Sequence, residues 1–331
     1  MTQQPPSREV LAAFALDPGE GIVFAVRTEP DGVWNFRTED ARYVLCRYSP
    51  LRSEESVGWE HELLARLSHT EWPVAAPVKT SHGPTAVSTP SGQYALFPAS
   101  EGSPLSPRSL TAKRIAGRLL ARLHEEFASL PAVDQRPGSG HSWELDLLIQ
   151  PSGAQTFNQL ARKLGEGHWE LASAIRRQRC RNLRKLSRQG YGELPARIVH
   201  SDFHTENRLF SDGQLTGLLG FEGAHVDAPV FDVAAGISKS CLLSARNSGF
   251  DLEAAQSFLG GYRQHRTLDS GEVKLIPALV RAHLLWLVAS QLAEWHVGRS
   301  DQIIERLATV MENQFPALDD VASHFGALAL A

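Results

Sequence analysis

The chain changes its hydrophobic period once, at residues 102–107, and this limits the folds open to it. Ahead of that point residues 19–27 alternate Ile22, Phe24 and Val26 against Val23, Ala25 and Arg27, the period of two expected of a strand. The turn Glu29-Pro30-Asp31-Gly32 follows, then two more strands at residues 33–38 and 42–48. Three strands before any long helix predict an antiparallel start, with a short helix ahead of them over residues 9–16. Residues 53–68 give the first long helix, since Trp59, Leu63, Leu64 and Leu67 share one face. An extended proline-bounded run at residues 72–78, a polar hairpin and a strand from Gln93 complete this part.

From Ser109 onward helical spacing takes over. Ile115, Leu119, Leu120, Leu123 and Phe127 mark one helix, residues 143–149 a second, and residues 168–189 a third that is dense in arginine. Apolar residues 284–295 predict a core helix in the C-terminal third. The pattern is that of an α+β protein, with a small antiparallel sheet in residues 1–102 and a larger, mainly helical part in residues 103–331. A chain of 331 residues can bury the cores that two such parts require.

One stretch reads as chemistry. Residues 198–210 run from the apolar pair Ile198-Val199 through His200-Ser201-Asp202-Phe203-His204-Thr205-Glu206-Asn207 to Leu209-Phe210 and the turn Ser211-Asp212-Gly213. A strand, a tight loop and a second strand would bring Asp202 and Asn207 together. Phosphoryl transfer needs a carboxylate to orient and deprotonate the attacking hydroxyl and an oxygen ligand for the cation that screens the phosphates. A polar hairpin with Asp and Asn as turn formers would use the same residues.

His-x-Asp-x-His-x-x-Asn between short apolar runs resembles the catalytic loop of the aminoglycoside phosphotransferase and homoserine kinase (type II) branch of the protein-kinase-like fold. The resemblance implies a bilobal protein-kinase-like architecture, ATP and Mg2+ as cofactors, and a small-molecule substrate. It implies Asp202 as catalytic base, Asn207 as metal ligand and His200 as a loop brace. In the N-terminal sheet, Gly32 would let the backbone approach the phosphates and Arg47 would stand where the family carries a phosphate-binding lysine. Glu60, in Glu60-His61-Glu62-Leu63-Leu64, resembles the helix acid that pairs with that cation. The hinge that receives adenine would lie at residues 97–102, with Phe97 and Ala99 around the ring. Farther on, Asp232 in Phe231-Asp232-Val233-Ala234 matches an acid at a helix start, where it can cap free amides. Gly261-Tyr262-Arg263-Gln264-His265-Arg266-Thr267-Leu268, with Glu272 and Pro277, resembles the homoserine kinase branch more than the aminoglycoside one. Ala121-Arg122-Leu123-His124 resembles the helix under the active site, with His124 expected as a packing residue.

The sequence departs from the family at the metal. Where a strand over residues 215–221 should end in Ile-Asp-Phe it reads Leu219-Gly220-Phe221, so the chelating aspartate is a glycine. Glu222 offers a replacement, because residues two apart in an extended segment project to one face; a surface or loop-bracing acid is its other reading. Two functions therefore stand. One is an ATP-dependent O-phosphotransferase acting on an amino alcohol, an amino acid such as homoserine, a sugar or an aminoglycoside-like antibiotic. The other is a catalytically impaired kinase-fold protein that binds nucleotide or metabolite as a sensor or partner. A polycationic antibiotic would require clustered acids, and the C-terminal helices carry scattered ones such as Asp251, Glu253, Glu272 and Glu294.

Charge and cysteine content narrow the setting. With 33 basic against 37 acidic residues there is no basic footprint for nucleic acid. Arg176, Arg177, Arg179, Arg181, Arg184, Lys185 and Arg188 crowd one helix, which reads as a solvated face or as a site for an acidic substrate or partner. Cys46, Cys180 and Cys241 have no paired spacing, which fits a reducing compartment. Residues 1–8 are polar, with two prolines, so a signal peptide is not expected and a cytoplasmic protein without membrane contact is.

Overall fold

The computed structural model of the chain describes residues 6–16, 24–27, 32–38, 41–242, 249–298, 300–321 and 325. Residues 19–23 of the expected first strand and residues 29–31 of the turn after it lie outside the described residues. Along the chain come α1 (Arg8–Ala13), β1 (Phe24–Arg27), β2 (Val33–Arg37), β3 (Arg42–Arg47), α2 (Glu54–Leu67), β4 (Val87–Thr89) and β5 (Gly92–Pro98). Then follow α3 (Leu110–Ser129), α4 (Leu145–Ile149), α5 (Phe157–Gly165), α6 (Trp169–Arg188), β6 (Arg197–Val199), β7 (Arg208–Ser211), β8 (Gln214–Leu218) and β9 (His225–Asp227). Helices α7 (Pro229–Cys241), α8 (Leu252–Tyr262), α9 (Ser270–Gly298), α10 (Asp301–Thr309) and α11 (Phe315–Val321) close the sequence. Two compact units result: residues 1–104 with 207–219, and residues 105–206 with 220–331.

The first unit is built on a five-stranded antiparallel sheet in the order β1-β2-β3-β5-β4. Trp34 and Phe36 alternate inward on β2 and pack with Leu45, Tyr94 and Leu96 against Val10, Leu11 and Phe14 of the α1 region. Leu45 is fully buried there; truncating such a leucine to alanine costs roughly 2–5 kcal/mol. Ser53 caps α2 by accepting the Ser56 N–H, so the helix begins one residue inside the expected span. The hairpin β7–β8 belongs to this unit as well.

The second unit is helical. Helix α9 is long and apolar enough to cross a membrane, yet 72% of its most apolar window is buried inside the protein, where it forms the core that residues 284–295 predict. Helices α3 and α8 meet at their backbones. A Cβ on Gly117 would stand 1.9 Å from the Phe258 carbonyl oxygen, and one on Gly261 1.9 Å from that of Arg114. Only glycine permits this approach, and it brings His124 of α3 to the Tyr262 hydroxyl of α8, 2.8 Å apart. Helix α5 has no counterpart in the sequence reading. Its apolar contacts Phe157, Leu160, Ala161 and Leu164 are buried, but they span little more than two turns, too short a window for periodicity to stand out.

Candidate active site

The loop after β6 is shaped by pairing on either side of it. Strand β6 pairs with β9 and β7 with β8, so the strands that flank the loop do not pair with each other and the polar-hairpin reading falls. The loop leaves its strand through Ser201, at a φ of 57°, a conformation non-glycine residues seldom adopt. Asp232, fully buried in the first turn of α7, holds this bend. Its carboxylate accepts the backbone N–H groups of His200 at 2.6 Å and Ser201 at 2.8 Å. Ser201 Oγ donates to the Gly223 carbonyl at 2.6 Å, which ties the loop to the turn before β9. His200 is wholly buried between the rings of Phe203 and Phe221, with Nδ1 accepting the Asp202 N–H at 3.2 Å.

Asp232 is itself positioned by a relay. His124 Nε2 lies 3.1 Å from its Oδ2, and the Tyr262 hydroxyl receives Arg266 Nη1 at 2.7 Å while meeting His124 Nδ1. Arg266 reaches Glu272 at 2.8 Å, and Glu272 accepts the Asp269 N–H at 3.1 Å. Burial would raise the Asp232 carboxyl pKa, but the hydrogen bond and charge from His124, with the His200 amide, bring it below the ordinary carboxylate value. His124, expected as a packing residue, is thus a polar link as well as a packed one.

Asp202 stands in a different setting. Its side chain is 27% exposed; Lys239 Nζ lies 2.6 Å from Oδ1 and His204 Nε2 3.5 Å from Oδ2. Burial works to raise its pKa, but His204 and Lys239 outweigh it and hold the carboxyl well below the usual range, so it is ionised at neutral pH. Lys239 lies in the last turn of α7. Nothing in the spacing marks it, because it lies thirty-seven positions beyond Asp202 and only the fold closes that distance.

Beyond β8 the structure departs from expectation. The strand ends at Leu218, Gly220 is left-handed (φ 82°, ψ 39°), and Phe221–Gly223 form a 3-10 turn. The segment is not extended, so the argument that Glu222 shares a face with position 220 does not hold. The turn is fixed by Arg136, only 2% exposed, whose Nη1 donates to the carbonyls of Glu222 at 2.7 Å and Ala224 at 3.0 Å. One buried cation drawing in several carbonyls curls the chain. The Glu222 side chain is exposed. Asp227, fully buried nearby, is held by Tyr191, Ser142 and His141 at 2.6, 2.7 and 2.9 Å.

The remaining candidates lie in the first unit. Asn207 is buried, and its carbonyl accepts the Leu219 N–H at 2.9 Å. Gly32 accepts the Arg47 N–H at 2.7 Å, and a Cβ there would fall 2.2 Å from the Trp34 ring, so packing already requires glycine. Arg47 ends β3 opposite Tyr94, and Phe97 on β5 faces Val44 of β3. The Ala99 N–H donates to the Arg42 carbonyl at 2.9 Å. Glu60, 3% exposed, receives Arg52 Nη1 at 3.2 Å and the Tyr48 hydroxyl at 3.1 Å. Arg52 was not singled out in the sequence, since it precedes the helix and belongs to no periodic face. In the second unit, most of the α6 arginines are exposed, as a solvated basic face requires.

Three comparisons bear on this arrangement. The model of the phosphotransferase enzyme family matches residues 24–268. A homoserine kinase of Methylorubrum populi is 27% identical over 294 residues, covering 87% of this chain and 86% of that protein. Among solved structures, a microcompartment-associated aminopropanol kinase superposes with a TM-score of 0.72 at 18% identity, over 96% of this chain and 97% of the other. An amicoumacin kinase in complex with AMP-PNP and Ca2+ gives 0.68 at 15% identity, over 93% and 92%. These likenesses carry the fold: a small antiparallel sheet and a larger helical part in the kinase-like arrangement.

Proposed function

The chain belongs to the phosphotransferase enzyme family, and from that premise we propose that it moves the γ-phosphoryl group of ATP to the hydroxyl of a small amino-acid alcohol such as homoserine. The observation that supports this most is Asp202: an ionised carboxylate, partly open to solvent, on a loop whose backbone Asp232 clamps from beneath. Homoserine kinase relatives that cover 86% of their own length indicate the acceptor class.

The step follows from general acid–base chemistry. The acceptor oxygen bonds to the γ-phosphorus as its hydroxyl proton passes to Asp202, and the bond to the bridging oxygen breaks to release ADP. Asn207 would offer a carboxamide oxygen to a magnesium ion that enters with ATP, and Glu222 would offer a carboxylate oxygen only by virtue of its exposed side chain on the 3-10 turn, not by alignment with position 220; both are hard donors of the kind such an ion takes alongside phosphates. Such an ion spreads the phosphate charge. Among the described residues no cluster of three or more acidic, histidine or cysteine side chains could bind a metal without the nucleotide. Arg47, with Gly32 in the preceding turn, is assigned to the phosphates and Phe97 and Ala99 to the adenine, while Glu60, whose partners include Arg52 and Tyr48, is assigned to bracing the cations at this end of the sheet.

The test is a kinase assay over a panel of small alcohols, with and without magnesium. Turnover that requires the divalent ion and disappears in Asp202→Ala supports the reading. Gly220 supports the second reading, of a nucleotide-binding protein without turnover. If the wild-type protein binds ATP without magnesium and Gly220→Asp switches on transfer, that second reading replaces the first.

A further inference from the structure

Helix α6 carries seven basic residues and one acid, Glu170 in its first turn. Its inner side buries Ala172, Ile175 and Leu186, while Arg177, Arg181, Arg184, Lys185 and Arg188 share an outer face and are exposed. From Arg177 to Arg188 the row runs about 16 Å along the helix, its members three or four residues apart with Lys185 beside Arg184. An ordinary solvated face interleaves acids with its bases, because like charges at that spacing destabilise a helix. Here no acid follows Glu170. Asp319 meets Arg181 at 3.3 Å but is shared with Arg281, and among the described residues Arg177, Arg184, Lys185 and Arg188 have no ion pair. Desolvation and then the charges of Arg281 and Arg181 lower the Lys185 pKa by more than Asp319 restores it, as cations crowded without matching anions require.

The row lines a groove of about 590 Å³ and at Arg177 runs into a second hollow of about 730 Å³. That hollow lies between the start of α6 and the end of α10, with Trp169, Ile304, Ala308 and Met311 among its walls. Trp169 is 67% exposed, the most open large apolar side chain among the described residues. Met311 belongs to a π-helical turn over Val310–Gln314, a distortion frequent at functional sites.

We propose that this face of α6 docks an acidic segment of another protein, which seats one apolar residue beside Trp169 and lays its carboxylates along the arginine row. Charge complementarity selects the partner, since arginine forks pair with carboxylates. The apolar anchor supplies the desolvated contact that exposed ion pairs lack by themselves. A bilayer also suits basic and aromatic residues, but Glu170 and Glu312 line the same hollow and a flat anionic surface cannot enter it. None of these residues belongs to the Asp202 loop, so the assignment does not depend on the kinase reading.

The probe is a fluorescent peptide with a leucine at one end followed by glutamates at every third or fourth residue, titrated with the full chain and read by anisotropy. Wild type is expected to bind it in the micromolar range, and several-fold more weakly as salt rises from about 50 to 200 mM. Combining Arg184→Glu with Arg188→Glu should weaken binding roughly tenfold or more, as should glutamine in place of the glutamates. Trp169→Ala and a leucine-free peptide should each weaken it about tenfold, and together little more than either alone, because they remove the same contact. Each variant is checked for an unaltered circular dichroism spectrum. The proposal fails if wild type ignores the peptide, if the charge-reversed protein binds it equally, or if the leucine-free peptide binds as well as the full one. It also fails if wild type instead binds phosphatidylserine vesicles, or forms a dimer on sedimentation, and the charge-reversed protein does not: the occupant is then a membrane or a second copy. Should Trp169→Ala not fold, the leucine-free peptide on the wild type decides.

Discussion

Two carboxylates one loop apart are held in opposite ways. Asp232 is sealed from solvent, and its partners are two backbone amides and a histidine fixed by Tyr262, Arg266 and Glu272. Asp202 is partly exposed, and its partners are the ends of two side chains, a lysine and a histidine. Rigid donors in a dry site fix geometry, whereas charged side chains near water can exchange partners at small cost. The floor of the loop is thus built to stay and its open side to change, a division suited to the base proposed for Asp202, which would accept and return a proton in each cycle.

The contrast breaks first at Asp202. Replacing it with Asn should lower kcat by about 10²–10⁴-fold, the range for loss of a general base, while stability moves by no more than about 1 kcal/mol because the pair it loses is partly exposed. Asp232→Ala should do the converse. It leaves two buried amides and His124 without their acceptor and should cost about 3–5 kcal/mol, read as a lower midpoint in urea unfolding. If Asp202→Asn unfolds the protein and Asp232→Ala does not, the two roles have been assigned to the wrong residues. One step back, Tyr262→Phe removes the hydroxyl between Arg266 and His124 and should cost about 1–2 kcal/mol, with a smaller fall in kcat than at Asp202.

Much of this floor was legible and its wiring was not. His200 and Asp232 stood out because short motifs resembling a family place them, and the strand-then-helix pattern that implies the fold follows from local periodicity. The region that carries Tyr262, Arg266 and Glu272 also matched the family, but its connection to the catalytic loop runs through His124, 138 residues before Tyr262. Lys239 gave no signal, since a single lysine near a helix end is ordinary until packing sets it against a carboxylate. The spacing argument for Glu222 shows the opposite failure. The extended spacing assumed for it presupposed a strand, and Arg136, some eighty-five residues upstream, curls that segment instead.

The last effect is read in stability alone and tests a buried histidine behind α7 without the chemistry. His283 is neutral in the folded state down to about pH 3, whereas an exposed histidine in the unfolded chain titrates near 6.5. Above pH 6.5 both states are neutral and the residue adds no pH dependence. As pH falls from 6.5 towards 3 the unfolded chain takes up a proton that the folded one refuses, so stability is lost in that window by up to about 1.4 kcal/mol per unit. The lowered carboxyls Asp202, Asp227 and Asp232 lose their contribution below their ordinary value of 3.8 and stay out of the comparison at pH 5 to 7. His141, raised by its hydrogen bond to Asp227, acts in the opposite sense but equally in wild type and variant. Between pH 7 and pH 5 the wild type should therefore lose about 2 kcal/mol more than His283→Leu in urea unfolding. Equal losses would mean that the imidazole is already charged or paired in the folded protein, and that burial does not hold it neutral.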